Sequence, residues 1–151
     1  MKYRKIVFVC TGNTCRSPMA EALLRDELKK RRIRWYQISS AGIEAQSGAP
    51  MSENARAALT EAGIAFSPTF RARRVTKKTA ENAYAVVCMT WKQMEHFGGA
   101  SNVTCMYELT GQEIPDPYGQ GQDAYRATLR ALKEGMPALI EALEIKDLSK
   151  K

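Results

Sequence analysis

The chain has 151 residues, 23 lysines and arginines against 16 aspartates and glutamates, a formal net charge of +7 and a single histidine, His96. That length fits one domain with one substantial core, spanning 1–151, and a hydrophobic share of 44% argues against a disordered chain. One imidazole rules out multi-histidine metal sites and the H-E-x-x-H zinc helix, so neither metal nor cofactor is predicted.

Lys2, Arg4 and Lys5 precede an apolar run that lasts only from Ile6 to Val9, far short of the roughly 18 residues of a membrane span. The sequence therefore points to no membrane and no signal peptide. Cys10, Cys15, Cys88 and Cys105 are spaced too irregularly for a disulfide framework or paired zinc knuckles. Reduced thiols in a cytoplasmic protein are the expectation.

Lys5 to Cys10 reads as a buried strand that runs straight into a polar turn, Thr11-Gly12-Asn13-Thr14. A helix is predicted from Ser17, with the serine as N-cap, Pro18 at the first helical position and Glu21 in the first turn. Ala20, Leu23, Leu24 and Leu28 give its inward face, and Lys29 to Arg32 close it at the negative end of its dipole. Trp35 to Ser39 is a second strand, ended by Ser40-Ala41-Gly42, and a second helix runs from Ser52 to a glycine stop at Gly63. Tyr84 to Met89 and Val103 to Tyr107 are the third and fourth strands, with short helical pieces near 76–82 and 91–97. Leu109 to Gln122, rich in glycine and proline, reads as an irregular loop. The last helix starts at about Gln122, with a kink predicted at Pro137, and Leu148 to Lys151 reads as a frayed end. This alternation predicts an α/β domain: a doubly wound, parallel four-stranded sheet with helices on both faces and a phosphate-binding loop after strand 1.

In such a sheet ligands sit beyond the carboxyl ends of the strands, which is where the first turn places Cys10. Backbone N–H groups of a tight turn and a helix N-terminus bind anions. Arg16 adds a planar fork for two phosphate oxygens. Alone, a cysteine at a strand end is an ordinary small hydrophobe. In one turn with Gly12, Asn13, Arg16 and Ser17 it reads as a thiolate nucleophile aimed at phosphorus. Gly12 and Asn13 tolerate the left-handed backbone that lets successive N–H groups point inward. A carboxyl group at Asp116, between Pro115 and Pro117, can hang over the cleft, protonate a leaving group and then activate water.

The run from Val9 to Pro18, VCTGNTCRSP, resembles the signature of the low-molecular-weight protein tyrosine phosphatase family, a cysteine, five residues, then Arg-Ser. The likeness continues through Ser40-Ala41-Gly42, Ala72-Arg73, Cys88-Met89 and Asp116-Pro117-Tyr118-Gly119, nearly the whole chain. The resemblance implies Cys10 as nucleophile, Arg16 as oxyanion clamp and Asp116 as general acid. It also implies a phosphate-binding segment Thr11, Gly12, Asn13, Thr14, Cys15, Arg16 and Ser17. Within it, Ser17 donates to the thiolate, and Ser17 and Ser40 hold Asn13 in a strained conformation. Phosphorylated proteins are the implied substrates and phosphate or a similar oxyanion the implied ligand. Cys15, on the same turn, is a candidate to trap an oxidised Cys10 as a disulfide.

Family members usually carry histidine where this chain has Phe70, which leaves Ser17 and Ser40 to support Asn13. Tyr118 stands alone where eukaryotic members show two tyrosines, so the aromatic wall is thinner. Thr14 replaces the bulky aliphatic residue of tyrosine-directed members and is similar to the bacterial protein-arginine phosphatases, as is Met89-Thr90. A threonine hydroxyl can interact with water or guanidinium atoms beside the phosphorus. Thr14 and Tyr118 are thus the candidate selectors, and Glu44 is placed near the pocket rim. The substrate expectation leans to phosphoarginine, with phosphotyrosine by the same mechanism as the alternative. An arsenate reductase is disfavoured because Cys88 and Cys105 are far apart in the chain. A nucleic-acid binder, motivated by Arg71, Arg73, Arg74, Lys77 and Lys78, is disfavoured because no reader motif accompanies them. His96 has no part in this chemistry.

Overall fold

The computed structural model describes residues 2–149. Four strands, β1 (Arg4–Cys10), β2 (Tyr36–Gly42), β3 (Ala85–Cys88) and β4 (Val103–Cys105), form one sheet in the order β2-β1-β3-β4, all parallel. Six helices connect and flank them: α1 (Arg16–Lys30), α2 (Glu53–Glu61), α3 (Lys77–Asn82), α4 (Trp91–Met94), α5 (Met106–Thr110) and α6 (Gln122–Ala142). A single 3-10 turn, Glu95–Phe97, extends α4.

The alternation of side chains along β1 divides the core. Ile6, Phe8 and Cys10 face a large cluster with Met19, Leu23 and Leu24 of α1, Ala55 and Leu59 of α2, and Leu132, Met136 and Leu139 of α6. Val7 and Val9 face a smaller cluster with Val86, Cys88, Val103 and Ala80 of α3, against which Met94 and Phe97 pack. Each large apolar side chain fully buried in these layers contributes about 1.5–3 kcal/mol. The larger cluster, under α1 and α6, is thus the platform on which the first strand–helix turn stands. From β1 the chain first crosses to β2 on one side and then to β3 on the other, which makes the carboxyl end of β1 the switch point where such sheets hold ligands.

Several boundaries differ from the sequence reading. Helix α1 begins at Arg16 with Cys15 at its N-cap and no side-chain cap. The Ser17 hydroxyl is engaged with Cys10 and Asn13 instead. Ser40, Ala41 and Gly42 do not end β2 but belong to it, in register with Phe8, Val9 and Cys10. Met106 and Tyr107 leave β4 for α5, because Met106 turns fully into the larger core, and Leu109 and Thr110 are helical rather than loop. Helix α6 runs through Pro137 without a break. Leu148 is buried and Ser149 bonds to Asp147, so neither is frayed; Lys150 and Lys151 lie outside the described residues. No described helix is long and apolar enough to cross a membrane.

Candidate active site

Cys10 closes β1, and the chain turns through Thr11 to Cys15 into α1. The turn's carbonyls are drawn outward: Cys10 O accepts from Ile43 N–H at 3.0 Å, Thr11 O from Glu44 N–H at 2.9 Å and Thr14 O from Ser52 N–H at 2.9 Å. Asn13 adopts a left-handed backbone with φ 57°, and its N–H donates to Cys10 Sγ at 3.3 Å. Gly42 of β2 makes this fold of the turn possible, because a Cβ there would lie 2.6 Å from Thr11 O.

The Cys10 thiol, 3% exposed, also lies 2.8 Å from Ser17 Oγ. The Asn13 side chain has three hydrogen-bond partners. Its Nδ2 donates to Ser17 Oγ and to Ser40 Oγ at 2.9 Å each, and its Oδ1 accepts from Arg73 N–H at 3.0 Å. An unfavourable backbone conformation of order 1–3 kcal/mol persists only where the surroundings over-determine it; three hydrogen bonds to one buried amide do so. Phe70 contributes none of them and packs into the larger core.

Arg16 is buried, with Nη1 donating to Ile114 O at 3.2 Å and Nη2 3.5 Å from Asp116 Oδ2. The loop that carries Asp116 is thereby tied across the mouth of the turn, while Asp116 itself stays open to solvent. Cys10, Thr11, Gly12, Thr14, Cys15, Arg16, Asp116 and Tyr118 line one cleft of about 310 Å³. Asn13, Ser17 and Ser40 stand behind it, fully or nearly fully buried. The loop residues, their supports, Asp116 and Tyr118 are therefore in the cleft or directly beneath it. Glu44 does not line it; its backbone N–H serves Thr11 O.

Further residues enter that the sequence reading passed over. Gln93 Nε2 donates to Thr11 Oγ1 at 3.3 Å, tying α4 to the turn. Cys15 Sγ sits 3.3 Å from Tyr125 Oη and 3.6 Å from Ser52 Oγ. Burial, reinforced by the Cys15 contact, pushes the Tyr125 phenol up to about 12. Glu21 accepts from Ser40 Oγ at 2.7 Å. A serine–glutamate contact across two elements leaves no local spacing signature; the capping pattern of Thr90 and Gln93 was available as a signal.

Cys88 and Cys105 require a correction. Parallel register sets them opposite each other on β3 and β4, so distance along the chain does not separate them. What removes them from a relay with Cys10 is the sheet: both are fully buried in the smaller cluster, on the opposite face from Cys10. Burial, with Cys105 and Cys10 adding to it, pushes the Cys88 thiol up to about 12.

A strand, a turn whose Asn13 amide donates to a thiol, and a helix start at the switch point of a parallel sheet define an α/β protein built around a phosphate-binding loop. The chain belongs to the low molecular weight phosphotyrosine protein phosphatase family, whose sequence model matches residues 5–150. It is 36% identical over 152 residues to the protein-arginine-phosphatase of Geobacillus stearothermophilus, covering 95% of this chain and 98% of that one. It is 32% identical over 142 residues to the probable low molecular weight protein-tyrosine-phosphatase EpsP of Ralstonia nicotianae, covering 91% and 94%. Among solved structures, a cysteine-to-serine mutant of the arginine phosphatase YwlE with a phosphorylated active-site serine matches with a TM-score of 0.83 at 33% identity, covering 93% of this chain and 95% of that one.

Proposed function

We propose that this chain, acting as one domain over 1–151, hydrolyses phosphorylated protein side chains through a phosphocysteine on Cys10, and that phosphoarginine is its preferred substrate. The observation that carries the chemistry is the Cys10 thiol at the base of the cleft, within reach of the Ser17 hydroxyl and the Asn13 amide. Both donors favour the charged sulfur, since hydrogen bonds to an ionised group are about twice as strong as neutral ones.

The phosphoryl group enters the turn and takes the Arg16 guanidinium on two of its oxygens, displacing the 3.5 Å contact to Asp116. Sulfur attacks phosphorus as the P–N or P–O bond breaks, and the Asp116 carboxylic acid gives its proton to the leaving group. In the second step Asp116 takes a proton from water, the water oxygen displaces sulfur from phosphorus, and phosphate departs with Cys10 restored. Cys15 is assigned a protective role: a sulfenic acid on Cys10 condenses with the Cys15 thiol, forming a disulfide and water.

The preference for phosphoarginine rests on Thr14 in the cleft wall and on Tyr118 as the single aromatic there, and is supported by the name of the Geobacillus relative. Tyr118, 77% exposed at the rim, favours the second reading, since an exposed aromatic face can still stack on a phenol. Parallel turnover of phosphoarginine and phosphotyrosine peptides of one sequence decides between them; faster phosphotyrosine turnover refutes the arginine preference. The partners are phosphorylated proteins rather than nucleic acid or membrane. A thiol nucleophile fits the reducing cytoplasm, where we place the protein.

A further inference from the structure

The hydrogen bonds behind the loop, followed proton by proton, lead from the nucleophile to a carboxylate on α1. Arg73 N–H donates to Asn13 Oδ1, which fixes the amide and aims both Nδ2 protons at hydroxyls, those of Ser17 and Ser40. Ser40 therefore accepts from Asn13 and gives its own proton to Glu21 Oε1 at 2.7 Å. Ser17 likewise accepts from Asn13 and keeps its proton for Cys10 Sγ at 2.8 Å. Glu21 is 6% exposed and ion-paired with Arg25 one turn further along α1. A carboxylate in such a pair only accepts, so Ser40 has one way to turn, with its lone pair toward Asn13. Arg25 is half-exposed, and its Nη2 also donates to Ile38 O of β2 at 2.6 Å. Phe70 walls the same depression as Glu21 and Arg25, and its ring offers no hydrogen bond there.

We infer that Glu21 is a positioning residue for the nucleophile: charge-balanced by Arg25, it sets the Ser40 hydroxyl, through it the Asn13 amide, and through that amide the Ser17 proton aimed at Cys10. The inference rests on Cys10 being the reacting thiol of the proposed phosphatase. It opposes the simplest through-space expectation. A buried negative charge near a thiolate disfavours ionisation, so if Glu21 acted by its field alone, removing the charge would make the thiol more reactive.

The test is alkylation of Cys10 by iodoacetamide across pH, read by mass spectrometry of the Cys10 peptide, in the wild type, Glu21→Gln, Ser40→Ala and the double variant. Each single variant is expected to move the midpoint upward by about 0.3 to 1 pH unit, which is roughly a two- to tenfold slower reaction below the midpoint. The double variant is expected to match Ser40→Ala, because Glu21 acts through Ser40. A downward or absent shift in Glu21→Gln, or shifts that add in the double variant, overturns the inference. If Glu21→Gln does not fold, Arg25→Met is expected to shift the midpoint upward and Arg25→Lys to restore it; an unchanged midpoint in Arg25→Met overturns it equally. Alkylation requires no substrate. Variants that show these shifts beside a wild type that turns over no phosphopeptide would refute the proposed function and leave the positioning role standing.

Discussion

Replacing Gly42 by alanine tests how tightly the neighbouring strand shapes the phosphate-binding turn. The new Cβ would lie 2.6 Å from Thr11 O, 2.9 Å from the Ala45 Cβ and 3.0 Å from Asn13 N. Two of these three atoms are backbone of the turn itself, and neither can swing aside as a side chain does. Restoring an ordinary contact of 3.4 Å at Thr11 O requires a retreat of about 0.8 Å, taken up by the segment that lines the cleft. Overpacking of this kind costs about 1–3 kcal/mol of stability. For chemistry, a displacement near 1 Å costs on the order of 100-fold in rate. Gly42→Ala is therefore expected to melt several degrees lower and to lose about two orders of magnitude in kcat on an aryl phosphate, with most of the protein folded at the assay temperature. A variant with wild-type kcat, whatever its melting temperature, would refute the claim that close approach of β2 sets the geometry of the turn.

Asp116→Ala is expected to slow turnover of a poor leaving group, an unactivated phenol, at least tenfold more than that of an activated one, measured as kcat across a leaving-group series; an equal loss on all would remove Asp116 as general acid. Thr14→Ile is expected to shift the ratio of phosphoarginine to phosphotyrosine turnover toward tyrosine by about tenfold, the effect of roughly 1.4 kcal/mol, and an unchanged ratio removes Thr14 as the selector. Peroxide is expected to inactivate the enzyme reversibly, with dithiothreitol restoring activity in the wild type but not after prolonged exposure of Cys15→Ser, whose Cys10 oxidises further. Equal recovery in both would show that Cys15 offers no protection.

The chemistry of this chain was legible in the sequence where it is local. Cys10, Gly12, Asn13, Arg16 and Ser17 crowd into one turn between an apolar strand and a helix, and the structure keeps them together. Strand alternation was enough to read the sheet, because β1 and β3 are buried on both faces and show it in their composition. What the sequence misassigned were residues whose local rule competes with a distant partner. Ser17 has the credentials of an N-cap, yet its hydroxyl serves a thiol across the turn. Ser40, Ala41 and Gly42 look like a break, yet they pair with Phe8 to Cys10, and Gly42 is small because the turn passes over it. Glu21 looks like ordinary first-turn acid, yet it is buried against Ser40. Cys88 and Cys105 are remote in the chain and adjacent in the sheet. In each case the deciding contact is between elements, and no periodicity within one element carries it.

The measurement that bears most directly on the account is the search for phosphate covalently held on Cys10. Asp116→Ala, slowed in breakdown of the intermediate, is mixed with an activated aryl phosphate, whose leaving group needs no proton from Asp116, quenched within the first turnover under conditions that preserve thiophosphate esters, and digested for mass spectrometry. The expected result is a phosphoryl group on the peptide that contains Cys10, absent when Cys10 is replaced by alanine alongside complete loss of turnover. Sustained turnover in Cys10→Ala, or first-turnover product with no phosphate on Cys10, would contradict it.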